Sequence, residues 1–269
     1  MLPRSFLYVP ADRPDLFDKA AAGPADAIVL DLEDAVPAAG KAAARDAVRR
    51  WLPSSPATGA EVWARISPLA LDDDLAAVYH PRLAGLLLAG CTPEVLDRVA
   101  ATTPADLRLV GLVESAAALV ALPTMAAHPR LTAFGVGEVD LLGDLRVART
   151  PRTDAVVAQL RTLVVVHSAA AGLEPPVAPT STDFRDLDAF AESTRLALDL
   201  GFRSRTAIHP GQVPVIHDAL TPSAEEVAAA RDLVQRFDEA SGGGTVDASG
   251  RFVDAAVVRG AREILSRAR

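Results

Sequence analysis

The chain has 269 residues, half of them hydrophobic but only 4% aromatic, so a core must be built mainly from Ala, Val and Leu. Lys plus Arg number 27 against 35 Asp plus Glu, a formal charge of −8, which argues against a nucleic-acid surface and against adhesion to anionic lipid. The single cysteine, Cys91, excludes an intrachain disulfide. With no signal-peptide pattern at the start and no apolar run of about 18 residues, a cytoplasmic protein with no membrane partner is expected.

Eight short apolar runs read as strands: 5–10, 27–32, 61–67, 85–90, 108–114, 131–137, 175–180 and 204–210. Most are continuous rather than alternating, as expected of parallel strands buried on both faces. Helical patterns follow the first strand at 15–22 and the second at 41–52. The segment 92–101 starts with a Thr cap, a Pro at the first helical position and an early Glu. Further helical segments at 115–127, 153–173 and 184–202 follow strands five, six and seven, the last ending on a Gly stop signal.

Eight βα units in about 220 residues predict an α/β fold, a (β/α)8 TIM barrel. The rival, an open doubly wound sheet, is disfavoured because no Gly-rich fingerprint follows the first strand. Residues 221–269 read as an extension. It holds a capped helix at 223–240, a small hairpin turning at Ser249-Gly250, and a terminal helix opened by Asp254. The barrel is therefore expected over 1–220, and the extension is long enough to reach a neighbouring subunit.

In such barrels the chemistry sits at the C-terminal strand ends. Strand two ends in Asp31, Glu33 and Asp34, strand three carries Arg65, strand five ends in Glu114, strand six leads to Glu138 and Asp140, and strand eight ends in His209. Clustered carboxylates repel one another and lose hydration when buried, so they need a cation, an arginine or backbone N–H groups. Oxygen ligands without a Cys or His pair suit Mg²⁺, or Mn²⁺, rather than Zn²⁺. Glu114 and Asp140, on adjacent strands, are the natural pair, although each could instead cap a helix or pair with an arginine. Arg65 could hold a substrate carboxylate through its fork, or pair with the strand-two acids. His209, followed by Pro, reads as a structural hydrogen-bonding group, and Cys91 as a small buried filler.

The segments "RSFLYVPADRPDLFDKAAAGPADAIVLDLEDAVPAAGKAAAR", "ARIS", "GLVESA", "FGVGEVDLLGDL", "AIHPGQVPVI" and "RFVDAAVVRGAREIL" together resemble the citrate lyase β-subunit-like enzymes of the HpcH/HpaI aldolase family. The resemblance runs in order over nearly the whole chain. It implies a Mg²⁺-binding (β/α)8 barrel, trimeric or hexameric. It also implies cleavage of a C–C bond in a β-hydroxyacyl thioester such as malyl-, citramalyl- or citryl-CoA, giving a keto acid and an acyl-CoA. By that resemblance Glu114 and Asp140 match metal ligands, and Arg65 and Glu114 match groups contacting the keto acid. Amides near Gly137 and Glu138 would bind its carboxylate. Glu33 and Asp34 match acids that orient the arginine and metal-bound water, and Asp254 matches a proton-transferring acid contributed across a subunit interface. Two alternatives stay open: a citrate lyase β subunit working on an acyl-carrier protein, and a non-catalytic acyl-CoA- or keto-acid-binding barrel. The chain departs from the family at Ala89-Gly90, where Pro-Lys is usual, at Val139, where an acid is usual, and at Ser67, where Asn is usual.

Overall fold

The computed structural model describes residues 1–57, 59–240, 244–247 and 250–268. Eight parallel strands close into a barrel in sequence order. They are β1 Ser5–Pro10, β2 Ala27–Asp31, β3 Glu61–Ile66, β4 Leu83–Leu88, β5 Arg108–Val113, β6 Leu131–Val136, β7 Val177–Ala178 and β8 Ser204–Ala207, with β8 pairing back onto β1. The (β/α)8 expectation holds. Strand β7 is reduced to two residues because Pro175, Pro176 and Pro179 have no N–H to give a ladder. Strand β8 stops at Ala207 because the next two amides, of Ile208 and His209, donate to the Gln212 side chain instead.

The helices around the strands are α1 Phe17–Ala21, α2 Lys41–Trp51, α3 Leu71–Val78, α4 Pro93–Thr102, α5 Ala116–Ala126, α6 Glu138–Asp144, α7 Asp154–Ala170, α8 Leu187–Leu200 and α9 Gln212–Leu220. Expected end signals are in place: Thr92 accepts from the Val95 amide at the start of α4, and Gly201 closes α8 at φ +110°. Helices α3, α6 and α9 are additions to the reading of the sequence. Each spans only about two turns, too short for a 3.6-residue period to stand out.

Apolar side chains divide between two layers. One lies between strands and helices, with Ile28, Leu30, Leu86 and Phe134 fully buried. The other fills the barrel itself, with Phe6, Val29, Trp63, Leu87 and Val110. Phe6 and Trp63 meet edge to face, ring centres 5.1 Å apart. The Trp63 ring occupies the space that a side chain at position 85 would need: a Cβ on Gly85 would lie 2.3 Å from it. Trp63 donates to Glu61 at 2.9 Å, and Arg108 lies over the indole at 4.8 Å while pairing with the same Glu61 at 2.6 Å. These groups sit toward the N-terminal ends of β3 and β5, so open space remains at the opposite, C-terminal ends.

The chain divides into two compact units, Met1–Ile216 and His217–Arg269. The second contains α10 Ala224–Glu239, opened by a reciprocal Ser223–Glu226 capping box. It also holds the antiparallel pair β9 Thr245–Val246 and β10 Phe252–Val253, and α11 Ala255–Arg267. Phe237, Val253 and Val258 form its small core. The turn expected at Ser249-Gly250 lies partly outside the described residues. Among the described residues, no helix is long and apolar enough to cross a membrane.

Candidate active site

A cavity of about 420 Å³ opens where the C-terminal ends of the strands meet, lined among others by Tyr8, Asp31, Arg65, Glu114, Asp140 and Thr206. Its first wall is an arginine clamp. The β2–β3 register sets Asp31 opposite Arg65. Asp31, 1% exposed, accepts from Arg65 Nε at 2.7 Å and Nη2 at 2.6 Å, a two-pronged contact. It also accepts from the amides of Glu33 at 2.9 Å and Ala35 at 3.3 Å, which satisfies the remaining lone pairs of a buried carboxylate. Glu33 meets Arg65 Nη1 at 2.9 Å, and the exposed Asp34 lies 3.5 Å from the same nitrogen. Lys41 donates to the carbonyls of Leu32 and Glu33, holding the acidic loop in place. Arg65 also lies over the Tyr8 ring, 4.9 Å from its centre.

The electrostatics follow from this arrangement. Burial alone would depress the Arg65 guanidinium, but the hydrogen bonds and charge of Asp31 outweigh it and hold the group above its ordinary range. Burial pushes the Glu33 carboxyl up to about 7, with Arg65 opposing the shift. Burial also raises the Tyr8 hydroxyl.

The second wall carries Glu114 and Asp140. Burial raises the Glu114 carboxyl above the usual carboxylate range, the Gly90 amide opposes this and the charge of Asp140 adds to it. The Gly90 amide donates to Glu114 Oε1 from a backbone at φ +51°, a conformation that favours glycine. Position 90 thus supplies a backbone donor to this carboxylate. Gly137 permits the same carboxylate to approach closely: a Cβ there would stand 2.6 Å from Glu114 Cβ and 2.7 Å from Oε2.

Residues 137 and 138 have contacts of their own beside this wall. The Gly137 N–H donates to the Val113 carbonyl at 3.1 Å, so its amide is engaged in the fold and its part in the site is its lack of a side chain. The Glu138 side chain, 7% exposed, is bound by Arg161 at 2.6 and 3.0 Å and paired with Arg149, so its carboxylate serves these arginines rather than a ligand of the main cavity. Asp254 stands in the second unit, where it caps α11 by accepting from Ala256 at 2.9 Å and Val257 at 3.0 Å.

Other singled-out residues have structural tasks. His209 accepts from the Gly211 amide and stacks on Phe184, and the fully buried Gln212 accepts from the Ile208 and His209 amides. The "IHPGQ" run is therefore a strand terminator. Ser67 donates its amide to the buried Asp74 at 3.0 Å and accepts from Leu69 at 3.3 Å. Burial raises the Cys91 thiol to about 12, which fits a filler. Asp31 as the main clamp, and Tyr8 as the surface beneath the arginine, were not singled out for these roles from the sequence. The one available signal was that Asp31 and Arg65 each stand in the fifth position of their strands.

Comparison with known proteins places these residues in context. The family model for HpcH/HpaI aldolase/citrate lyase matches residues 4–210. A (3S)-malyl-CoA thioesterase of Cereibacter sphaeroides (strain ATCC 17025 / ATH 2.4.3) is 29% identical, over 98% of this chain and 94% of its own length. A citrate lyase subunit beta-like protein of Mycobacterium tuberculosis is 32% identical over the same shares. Among solved structures, M. tuberculosis CitE in complex with magnesium, acetoacetate and coenzyme A is similar with a TM-score of 0.82 at 29% identity, over 98% of this chain and 97% of that one. The M. tuberculosis citrate lyase beta subunit complexed with oxaloacetate and magnesium has a TM-score of 0.71 at 29% identity, over 81% of this chain and 97% of that one. With the family match running across the barrel and both walls of its cavity, the chain belongs to the HpcH/HpaI aldolase/citrate lyase family.

Proposed function

We propose that this protein is an enzyme, a Mg²⁺-dependent carbon–carbon lyase that cleaves a β-hydroxyacyl-CoA of the malyl, citramalyl or citryl type into a keto acid and an acyl-CoA. The observation that carries the reading is the pairing, in one cavity, of a preorganised arginine with two carboxylates that have an excess of negative charge around them. Among the described residues that line the cavity, Asp31, Asp34, Glu114 and Asp140 share one guanidinium, that of Arg65, an imbalance suited to a divalent cation. Among the described residues no group of three or more His, Cys, Asp or Glu side chains could hold a metal. A carboxylate pair leaves most of an octahedron to water and substrate, which is how Mg²⁺ is usually bound. Glu114 and Asp140 would hold it, and when bound it would supply charge stabilisation at the substrate's oxygens. The magnesium, keto-acid and coenzyme A complexes of the similar CitE structures support this cofactor and these ligands.

The chain's own residues then divide the remaining work. Arg65 has five N–H groups; Asp31 takes one on Nε and one on Nη2, and Asp34 takes one on Nη1 at 3.5 Å, with Glu33 paired to the same nitrogen. The rest can hold an oxygen of the keto acid without reordering the side chain, which keeps the reacting carbons in place. The first-turn amides of α6, at Glu138 and Val139, have no intrahelical acceptor and are the proposed donors to its carboxylate. Glu33 and Asp34 orient Arg65. We assign the proton delivered to the thioester enolate to Asp254 of a neighbouring copy, in a homotrimer or hexamer.

The test is a panel of hydroxyacyl-CoA thioesters, with keto acid and free thiol measured separately, with and without Mg²⁺. Keto acid without free thiol marks the lyase. Free thiol released as well marks a thioesterase, a second reading favoured by the similarity to (3S)-malyl-CoA thioesterases. Glu114→Gln and Asp140→Asn are each expected to lower the Mg²⁺-dependent rate by about 100-fold or more and to abolish Mn²⁺ binding followed by electron paramagnetic resonance. Unchanged Mn²⁺ binding would remove the metal assignment. Asp254→Asn retains the helix cap, since Asn caps as well as Asp. Its activity should fall, and mixing it with an inactive Arg65→Ala protein should restore part of it. Failure of such mixed oligomers to recover any rate counts against a shared site.

A further inference from the structure

Beside the main cavity lies a smaller side pocket of about 150 Å³. The two share a wall at Glu138, Val139, Thr180 and Thr182. The chemistry of the side pocket is the inverse of its neighbour's: Arg149, Arg161 and Arg205 line it with a single carboxylate, Glu138. Glu138 takes Arg161 at 2.6 and 3.0 Å and pairs with Arg149. The charge of Asp154 also reaches Arg149 and Arg161.

Arg205 is different. It is 4% exposed, and among the described residues it has no carboxylate partner. Its Nε donates to the Pro179 carbonyl at 3.1 Å, and its Nη1 donates to the Phe190 carbonyl at 3.1 Å, to Ser193 at 3.0 Å and to Thr194. Its guanidinium lies 4.0 Å from the centre of the Phe190 ring. Every partner is neutral, so the charge is hydrogen-bonded but not balanced. Burial depresses its pKa to about 9, and the like charges of Arg161 and Arg149 add to this. A second unmet group stands on the shared wall. Thr180 Oγ1 is buried and has no hydrogen-bond partner, which folded proteins seldom leave without cause.

We propose that this side pocket is an oxyanion subsite, which seats the carboxylate or phosphate terminus of a small molecule against Arg149 and Arg205 and against the hydroxyl of Thr180. Guanidinium forks match both kinds of oxyanion. The shared wall allows one molecule to extend from the main cavity into the side pocket. The anion is then either a second charged terminus of the molecule bound there or a free small anion acting alone. The subsite uses neither Glu114 nor Asp140, so it is testable whether or not the metal assignment holds.

The probe is inorganic phosphate, titrated calorimetrically into the full chain with EDTA present and ionic strength held constant with chloride. Saturable binding at one site per chain is expected. Arg149→Gln and Thr180→Val should each weaken it about tenfold or more, as loss of one charge-assisted hydrogen bond does. Arg149 is half exposed, so its variant should keep the wild-type circular dichroism and melting temperature. Displacement of phosphate by glutarate but not by acetate assigns the subsite to the second terminus of a longer molecule. Equal, weak competition by both assigns it to a free anion. Phosphate binding of undiminished affinity in both variants, or no saturation in the millimolar range, overturns the proposal.

Discussion

Replacing Asp31 by Asn tests which acid holds the arginine. The change keeps the shape but puts an amide NH₂ against a guanidinium N–H and removes the balancing charge. The Asp31 side chain is 2% exposed and Arg65 12%, so water screens the loss little. Breaking a buried pair by removing one partner costs about 3–5 kcal/mol. Asn retains one acceptor oxygen, and Glu33 still meets Nη1 at 2.9 Å, so the low end, about 3 kcal/mol, applies. For a chain of this size that is roughly 6–12 °C in melting temperature. Glu33→Gln should cost far less, within about 1 kcal/mol at pH 7, because burial leaves the Glu33 carboxyl near its midpoint there. Thermal melts of the two variants by circular dichroism, with EDTA present, decide the matter. Keto-acid affinity should fall in the same order as Arg65 loses its fixed direction. A Glu33→Gln protein that melts as low as Asp31→Asn would refute the assignment of Asp31 as the main clamp.

Two further outcomes are expected. The Glu33 carboxyl is raised to about 7 in the folded chain, so the native state holds its proton more tightly than the unfolded state does. Its contribution to stability is therefore fully present below the unfolded carboxylate pKa and is lost as pH rises through about 7. Melting temperature measured against pH should accordingly show a downward slope across that window, and Glu33→Gln should flatten it; an unchanged slope would show that another group is responsible. Gly90→Ala forces a Cβ onto a backbone at φ +51° and to within 2.9 Å of Pro68. It should cost about 1–2 kcal/mol and disturb the amide that donates to Glu114. Gly143→Ala, with no atom within 4 Å of the added Cβ, is the matched control and should leave the melting temperature unchanged or raise it. Equal melting temperatures for the two variants would deny the strain at position 90.

The order of elements was legible because it depends on local composition. Apolar runs buried on both faces stand out without knowledge of their neighbours, as do a Thr-Pro helix start or a Gly stop such as Gly201. Strand β7 was the exception, since whether a proline-flanked run joins a ladder depends on which amides the adjacent strands demand. The polar strand ends were also readable, and with them both walls of the cavity. What could not be read was which acid meets which base. Asp31 reaches Arg65 across 34 positions through inter-strand register, and Glu138 reaches Arg161 across 23 through the approach of one helix to another.

The amino-acid sequence by itself therefore determined the eightfold strand–helix alternation, and that acids would crowd one rim, because hydrophobic runs and their boundaries are properties of neighbouring residues. Only the tertiary structure decided that Asp31 rather than Glu33 locks the arginine, that Glu138 belongs to Arg161, and that Gly90 contributes an amide to Glu114. A buried charge is stabilised by whatever the fold brings within about 3 Å of it, and that distance is set by closure of the barrel rather than by spacing along the chain.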